Sequence, residues 1–222
     1  MNQIGERIIE LKSEMPAGVG LVAVSKFHPA EAIEQAYAAG QRKFGESRVQ
    51  ELLQKCGSLP SDIEWHFIGH LQTNKVRQLM GRVALIESVD TEHLLECIDR
   101  ESVRAGVVTR VLMQVHVARE ETKFGFLPEE LLEYFSQRRF EQLQATHICG
   151  VMGMASNTTD TSRVSADFAR IHEVYARILE TAPDLRGFDT LSMGMSGDWQ
   201  LAVAEGSNLI RVGTRIFGER QY

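Results

Sequence analysis

Eight times along this chain a short apolar run is followed, after a polar or Gly/Pro break, by residues with helical periodicity. The first run is Leu21-Val22-Ala23-Val24-Ser25, ending at Lys26. The others fall at Phe44, 65–69, 85–89, 107–117, 147–152, 188–193 and 209–212. Continuous apolar runs of this length suit strands covered on both faces, as in parallel sheets. Helices are expected over 30–39, after Glu46, over 73–80, from Asp90 or Thr91 to about 104, near Pro128, over 162–181 and after Ser196. In the 162–181 stretch, Val164, Phe168, Ile171, Tyr175 and Ile178 share one face. A further amphipathic helix is expected over 2–14, where Ile4, Ile8 and Leu11 form a stripe. This alternation predicts a (β/α)8 barrel, with an open doubly wound sheet as the alternative built from the same units. At 222 residues the chain allows about 25 residues per unit, which favours the barrel. No linker or composition shift divides it, so a single domain over 1–222 is expected.

The charge balance narrows the partners. Lys plus Arg is 24 against 30 Asp plus Glu, a net charge of −6. That is not the basic footprint of a general nucleic-acid binder or of a polybasic membrane patch. No segment approaches a membrane span or a signal peptide. Cys56, Cys97 and Cys149 are odd in number and far apart, which argues against a disulfide framework or a structural zinc site. The expectation is a reduced, cytoplasmic protein without a metal.

In a barrel the active site lies at the carboxyl ends of the strands. Lys26 stands there directly after an apolar run. Desolvation at such a position lowers an amine's pKa and makes it a nucleophile for aldehydes. The plainer reading is a strand-end lysine reaching to solvent. Ser196-Gly197 and Gly213-Thr214 follow the seventh and eighth strands, where barrels often bind phosphate on helix-start N–H groups. Ordinary capping by Ser196 and Thr214 is the alternative. His66 and His70, four apart, lack a third ligand and suit core or supporting roles. The Met-Gly-Met triplets at 152–154 and 193–195 suit barrel filling or padding of a flat ligand.

Several longer stretches carry a family resemblance. They are Val22-Ala23-Val24-Ser25-Lys26, Phe44-Gly45-Glu46 with Val49-Gln50-Glu51, and Trp65-His66-Phe67-Ile68-Gly69-His70-Leu71-Gln72-Thr73-Asn74-Lys75. Ser88-Val89-Asp90, Leu191-Ser192-Met193-Gly194-Met195-Ser196-Gly197-Asp198 and Ile210-Arg211-Val212-Gly213-Thr214-Arg215-Ile216-Phe217-Gly218 follow in order. Together they make the chain resemble the pyridoxal phosphate homeostasis proteins over about residues 20–220. The resemblance implies a fold-type III barrel, like the N-terminal domain of alanine racemase, holding pyridoxal 5′-phosphate (PLP). It implies a Schiff base on Lys26, a phosphate cradle of Ser196, Gly213 and Thr214, and Arg211 facing the pyridine nitrogen. The family commonly has Gly-Glu-Asn-Tyr where this chain has Gly45-Glu46-Ser47-Arg48, so an Asn contact near the cofactor is lost or replaced through water. Lys123-Phe124-Gly125 is close to the family's Lys-x-Gly, and the segment before Met154 differs from its Gly-Leu-Met form.

Three functions follow as competing expectations. The first is a PLP-binding protein of vitamin B6 homeostasis with little or no turnover, handing PLP to apo-enzymes. The second is an amino-acid racemase. A two-base racemase needs acid/base groups on both faces of the cofactor, and alanine racemase draws one from an added β-domain that the eight units here leave no residues for. The absence of that domain also points to a monomer. The third is a PLP-free barrel isomerase that binds phosphate.

Overall fold

Strands β1 (Gly20–Val24), β2 (Lys43–Glu46), β3 (Glu64–Phe67), β4 (Leu85–Val89), β5 (Thr109–Val115), β6 (Thr146–Gly153), β7 (Thr190–Ser192) and β8 (Leu209–Val212) pair in chain order, all parallel. The eighth returns to the first, with register from Gly20↔Leu209 to Ala23↔Val212. This closes the sheet, so the (β/α)8 expectation holds and the open sheet does not. The computed structural model describes residues 2–117 and 124–219; Lys123, noted above, lies outside the described residues.

The strands read as apolar runs because both faces are covered. One face packs under the helices: Phe44, Phe67, Ile86, Val111 and Ile210 belong to one buried cluster with Leu52, Leu94, Phe168 and Ile171. The other fills the barrel, where Val22, Leu85, Leu112, Cys149, Met152 and Leu209 form a separate cluster. Cys149 and Met152 are three apart, yet both belong to that inner cluster. A register shift against β5 at Gly150 explains it. The bulge needs φ +153° there, and a Cβ would strike the Thr190 backbone.

The helices are α1 (Gln3–Glu14), α2 (Ala30–Ala38), α3 (Val49–Cys56), α4 (Glu92–Ala105), α5 (Pro128–Ser136), α6 (Thr161–Thr181), α7 (Trp199–Ala204) and α8 (Thr214–Phe217). The starts of α4 and α6 carry ordinary capping chemistry. The Thr91 hydroxyl accepts the Leu94 N–H at 3.2 Å, and Asp160 accepts those of Ser162 and Arg163. Three elements depart from expectation. The segment expected as a helix over 73–80 is a 3-10 helix, Thr73–Gln78, whose buried Val76 and neighbouring buried Leu79 lie three apart, the repeat of that tighter winding. A second 3-10 turn, Arg139–Gln142, was not anticipated. The seventh strand is shorter than 188–193. Phe188 precedes it and packs instead on Tyr175, ring centroids 5.3 Å apart.

Candidate functional site

Closure makes β7, β8 and β1 consecutive neighbours, so their carboxyl ends share one sector of the rim. All five residues singled out from the sequence lie in that sector. Lys26 is half-buried in the turn leaving β1. The turn is tied down by a buried polar cluster beneath it. The Lys55 ammonium on α3 donates to the Ser25 carbonyl at 2.9 Å and to Glu46 and Glu51 at 2.7 Å each. The Ser25 hydroxyl donates to Glu46 at 2.6 Å. Glu51 also accepts the N–H of Phe27 at 2.6 Å. Phe27 sits at φ +67°, a left-handed conformation unusual for a bulky residue. The guanidinium of Arg48 lies over its ring at 4.7 Å. Glu46 is fully buried. Burial pushes its carboxyl up, against the pull of Lys55 and Ser25.

On the far side of Lys26, the Ser196 hydroxyl accepts the N–H of Gly213 at 3.2 Å, joining the exits of β7 and β8. Neither Ser196 nor Thr214 is a helix cap. The residue before α7 is Asp198, and Gly213 precedes α8 with Thr214 as its first residue. Thr214 is exposed. Gly213 permits a close approach: a Cβ there would lie 3.2 Å from the Val24 carbonyl, two residues before Lys26. The Ser196–Gly213 junction and the lysine turn are therefore pressed together.

Arg211 is a buried cation, 5% exposed. Its guanidinium donates to the Ser192 hydroxyl at 2.5 Å and to the Gly153 carbonyl, the end of β6, at 3.0 Å. Ser192 in turn donates to Glu87 at 2.6 Å, and the other Glu87 oxygen meets His66 Nδ1 at 2.6 Å. Burial alone would push the Glu87 carboxyl up. The His66 hydrogen bond, the Arg211 charge and the Ser192 hydroxyl outweigh it and hold Glu87 below the ordinary range. His66 and His70 do not act together: His70 Nδ1 bonds Asp90 at 2.7 Å on the rim, and its ring stacks on Phe124 at 3.9 Å.

A cavity of about 640 Å³ opens between the loops after β6 and β7, lined by Met154, Ser156, Met195, Gly197 and Asp198 among others. Its edge thus adjoins Ser196. The buried Ser156 hydroxyl meets no partner among the described residues. A roomier hollow of about 740 Å³, lined by Leu53, Met80 and Arg104, involves none of the five residues. No group of three or more potential metal ligands occurs among the described residues. The set offers an amine for a carbonyl, a hydroxyl and helix-start amides for a phosphate, and a buried donor for a ring nitrogen, so the residues present fit PLP. Sequence reasoning missed Lys55, Glu87 and the role of Ser192; only the latter two carry a local signal, a charge or hydroxyl within an apolar strand.

The chain matches the family model described as alanine racemase, N-terminal domain, over residues 1–221. Among similar curated proteins is the pyridoxal phosphate homeostasis protein of Aquifex aeolicus, 39% identical over 203 residues, covering 91% of this chain and 87% of that protein. The protein of the same name from Pseudomonas aeruginosa is 38% identical, covering 93% and 87%. Among solved structures, PipY of Synechococcus elongatus with PLP bound superposes with a TM-score of 0.89 at 42% identity, over 97% of this chain and all (100%) of that one. Alanine racemase from E. faecalis shares the fold, with a TM-score of 0.72 at 17% identity over 98% of this chain and 58% of its own.

Proposed function

Since the chain belongs to the alanine racemase N-terminal domain family and, within it, to the pyridoxal phosphate homeostasis proteins, we propose that it binds PLP on Lys26 and serves intracellular PLP homeostasis. The observation that carries this reading is the convergence of Lys26, the Ser196–Gly213 cradle and buried Arg211 on three adjacent strand ends. PLP supplies an aldehyde that is electrophilic and reversibly captured by amines. Lys26 would provide the amine that holds that aldehyde. Ser196 and the N–H groups of Gly213 and Thr214 hold the phosphate at a helix start. Arg211, always protonated, would donate to the pyridine nitrogen, which would then carry no proton of its own.

That last feature bears on turnover. A ring nitrogen facing an arginine makes PLP a weaker electron sink than one facing a carboxylate. Binding and release, with little or no catalysis, is the function this favours. The finer picture includes work in the cytoplasm, transfer of PLP to apo-enzymes, and a monomer. No helix among the described residues is long and apolar enough to cross a membrane.

The test is spectroscopic. Adding PLP to the protein should produce a new absorbance band and, after borohydride reduction, a mass increase on the peptide holding Lys26. Lys26→Ala should abolish both. An unchanged band in that variant would refute the assignment of Lys26. Sustained, Lys26-dependent racemisation of L- or D-alanine would replace the binding role with an enzymatic one.

A further inference from the structure

Arg211 cannot be understood alone. A guanidinium 5% exposed inside a barrel needs a counter-charge. The structure supplies one lower down the barrel axis. Arg211 reaches upward to the carbonyl ending β6, whereas Glu87 sits in the middle of β4 and His66 within β3. His66 also lines a cavity of about 420 Å³ at the amino-terminal mouth, with Lys43, Glu64, Arg110 and Asp189. One hydrogen-bonded column therefore runs from that mouth to the rim: His66, Glu87, Ser192, Arg211.

The donor order in the column is fixed by chemistry. Arg211 only donates, so Ser192 must accept from it and spend its single proton on Glu87. Its partners hold the Glu87 carboxyl below the ordinary range, which makes it the acceptor and His66 Nδ1 the donor. The Glu87 carboxylate lies 3.6 Å from the Arg211 guanidinium. Asp198 adds a second negative charge from outside the column. None of His66, Glu87 or Ser192 belongs to the lysine turn or the phosphate cradle.

We propose that His66, Glu87 and Ser192 are positioning residues that hold Arg211 against the ring nitrogen of the cofactor and set how strongly it donates there. This rests on the PLP reading above. Removing the Glu87 charge leaves Arg211 without its nearest counter-ion and frees the guanidinium to turn from the ring. A charge-assisted hydrogen bond at the ring nitrogen is then weakened, which corresponds to about a tenfold loss of affinity.

The experiment compares two ligands on the full-length protein. One is PLP; the other is its analogue with carbon in place of the ring nitrogen. In Glu87→Gln, PLP affinity should fall about tenfold and the absorbance band of the bound cofactor should shift, while affinity for the analogue stays as in the unaltered protein. Ser192→Ala, which leaves the ion pair intact, should show the same pattern more weakly and covers the case in which Glu87→Gln does not fold. Equal losses for both ligands would mean the column is merely structural and overturn the inference. So would unchanged PLP affinity and spectrum in both variants. Failure of the unaltered protein to bind PLP would instead overturn the functional reading on which the column's role rests.

Discussion

Lys55 has three ammonium protons and three acceptors for them: the Ser25 carbonyl, Glu46 and Glu51. It is the residue that converts a strained turn into a fixed one, since Glu51 also holds the left-handed Phe27. Replacing it by Met removes one partner from a buried charge cluster and leaves two carboxylates facing each other. Lys55→Met should therefore cost about 3–5 kcal/mol, read as a lowered urea midpoint. The loss should depend on pH. Burial raises the Glu46 carboxyl, so the folded protein holds that proton more tightly than the unfolded chain. Such a group stabilises the fold in acid, and the contribution disappears as pH rises through the folded value. Lys55 opposes the rise, so without it the decline is steeper. Urea midpoints at about pH 5 and about pH 8 should diverge more in Lys55→Met than in the unaltered protein; parallel curves would argue against the cluster as drawn. Nothing in the local sequence around Lys55 signals this. It lies on an amphipathic helix, where a lysine ordinarily faces solvent, and its acceptor Ser25 is distant in sequence. Lys26 drew attention because its setting, an apolar run that stops at an amine, is itself local, although that setting alone suits a plain strand-end lysine equally well.

At the scale of elements, strands buried on both faces announce themselves as apolar runs, and all eight were found at nearly their observed places. The errors have separate causes, and the first is that hydrophobicity does not say against what a residue packs. Phe188 continues the apolar run of β7 but is buried outside the strand, against Phe135 and Tyr175. The 3-10 segment Thr73–Gln78 has helical spacing at too short a length to separate three residues per turn from 3.6. Loop contacts were equally invisible. Gly69, after β3, lies directly on the Ser47 backbone at the exit of β2, and a Cβ would overlap it. The Ser88 hydroxyl donates to the Gly69 carbonyl at 2.5 Å, pinning the same exit to β4. Ser47 thus contributes its backbone to rim packing. Gly69→Ala should cost about 1–3 kcal/mol by overpacking backbone that cannot swing away. Thermal unfolding of the variant tests this, and an unchanged midpoint would show that the two exits can separate freely.

For the molecule as a whole, the barrel is a ring, and a ring is as firm as its thinnest seam. The β1–β8 seam has a four-residue register, whereas β7 and β8 align through Ser192↔Leu209. Beyond that pair, the seam continues through the Met193 N–H to Leu209 and the Arg211 N–H to Gly194, at 3.1 and 3.0 Å. The proposed cofactor would be gripped by residues from both sides of this seam and by Lys26 in the turn leaving β1. Bound PLP should therefore act as a clasp across β7, β8 and β1. Because it binds the folded state, free PLP at about 100 times its Kd should add about 2.7 kcal/mol of stability. For a chain of this size that is a rise in Tm of about 5–10 °C. A general ligand effect would slow amide exchange uniformly through global unfolding. A clasp should slow it most at Met193 and Arg211, whose N–H groups close the seam, and least in β4 and β5, on the opposite side of the ring. Lys26→Ala should lose most of the Tm gain and retain only what the phosphate cradle and Arg211 supply without the covalent link. Exchange that slows equally in β5 and β8, or a Tm gain undiminished in Lys26→Ala, would mean that the ligand does not span the seam.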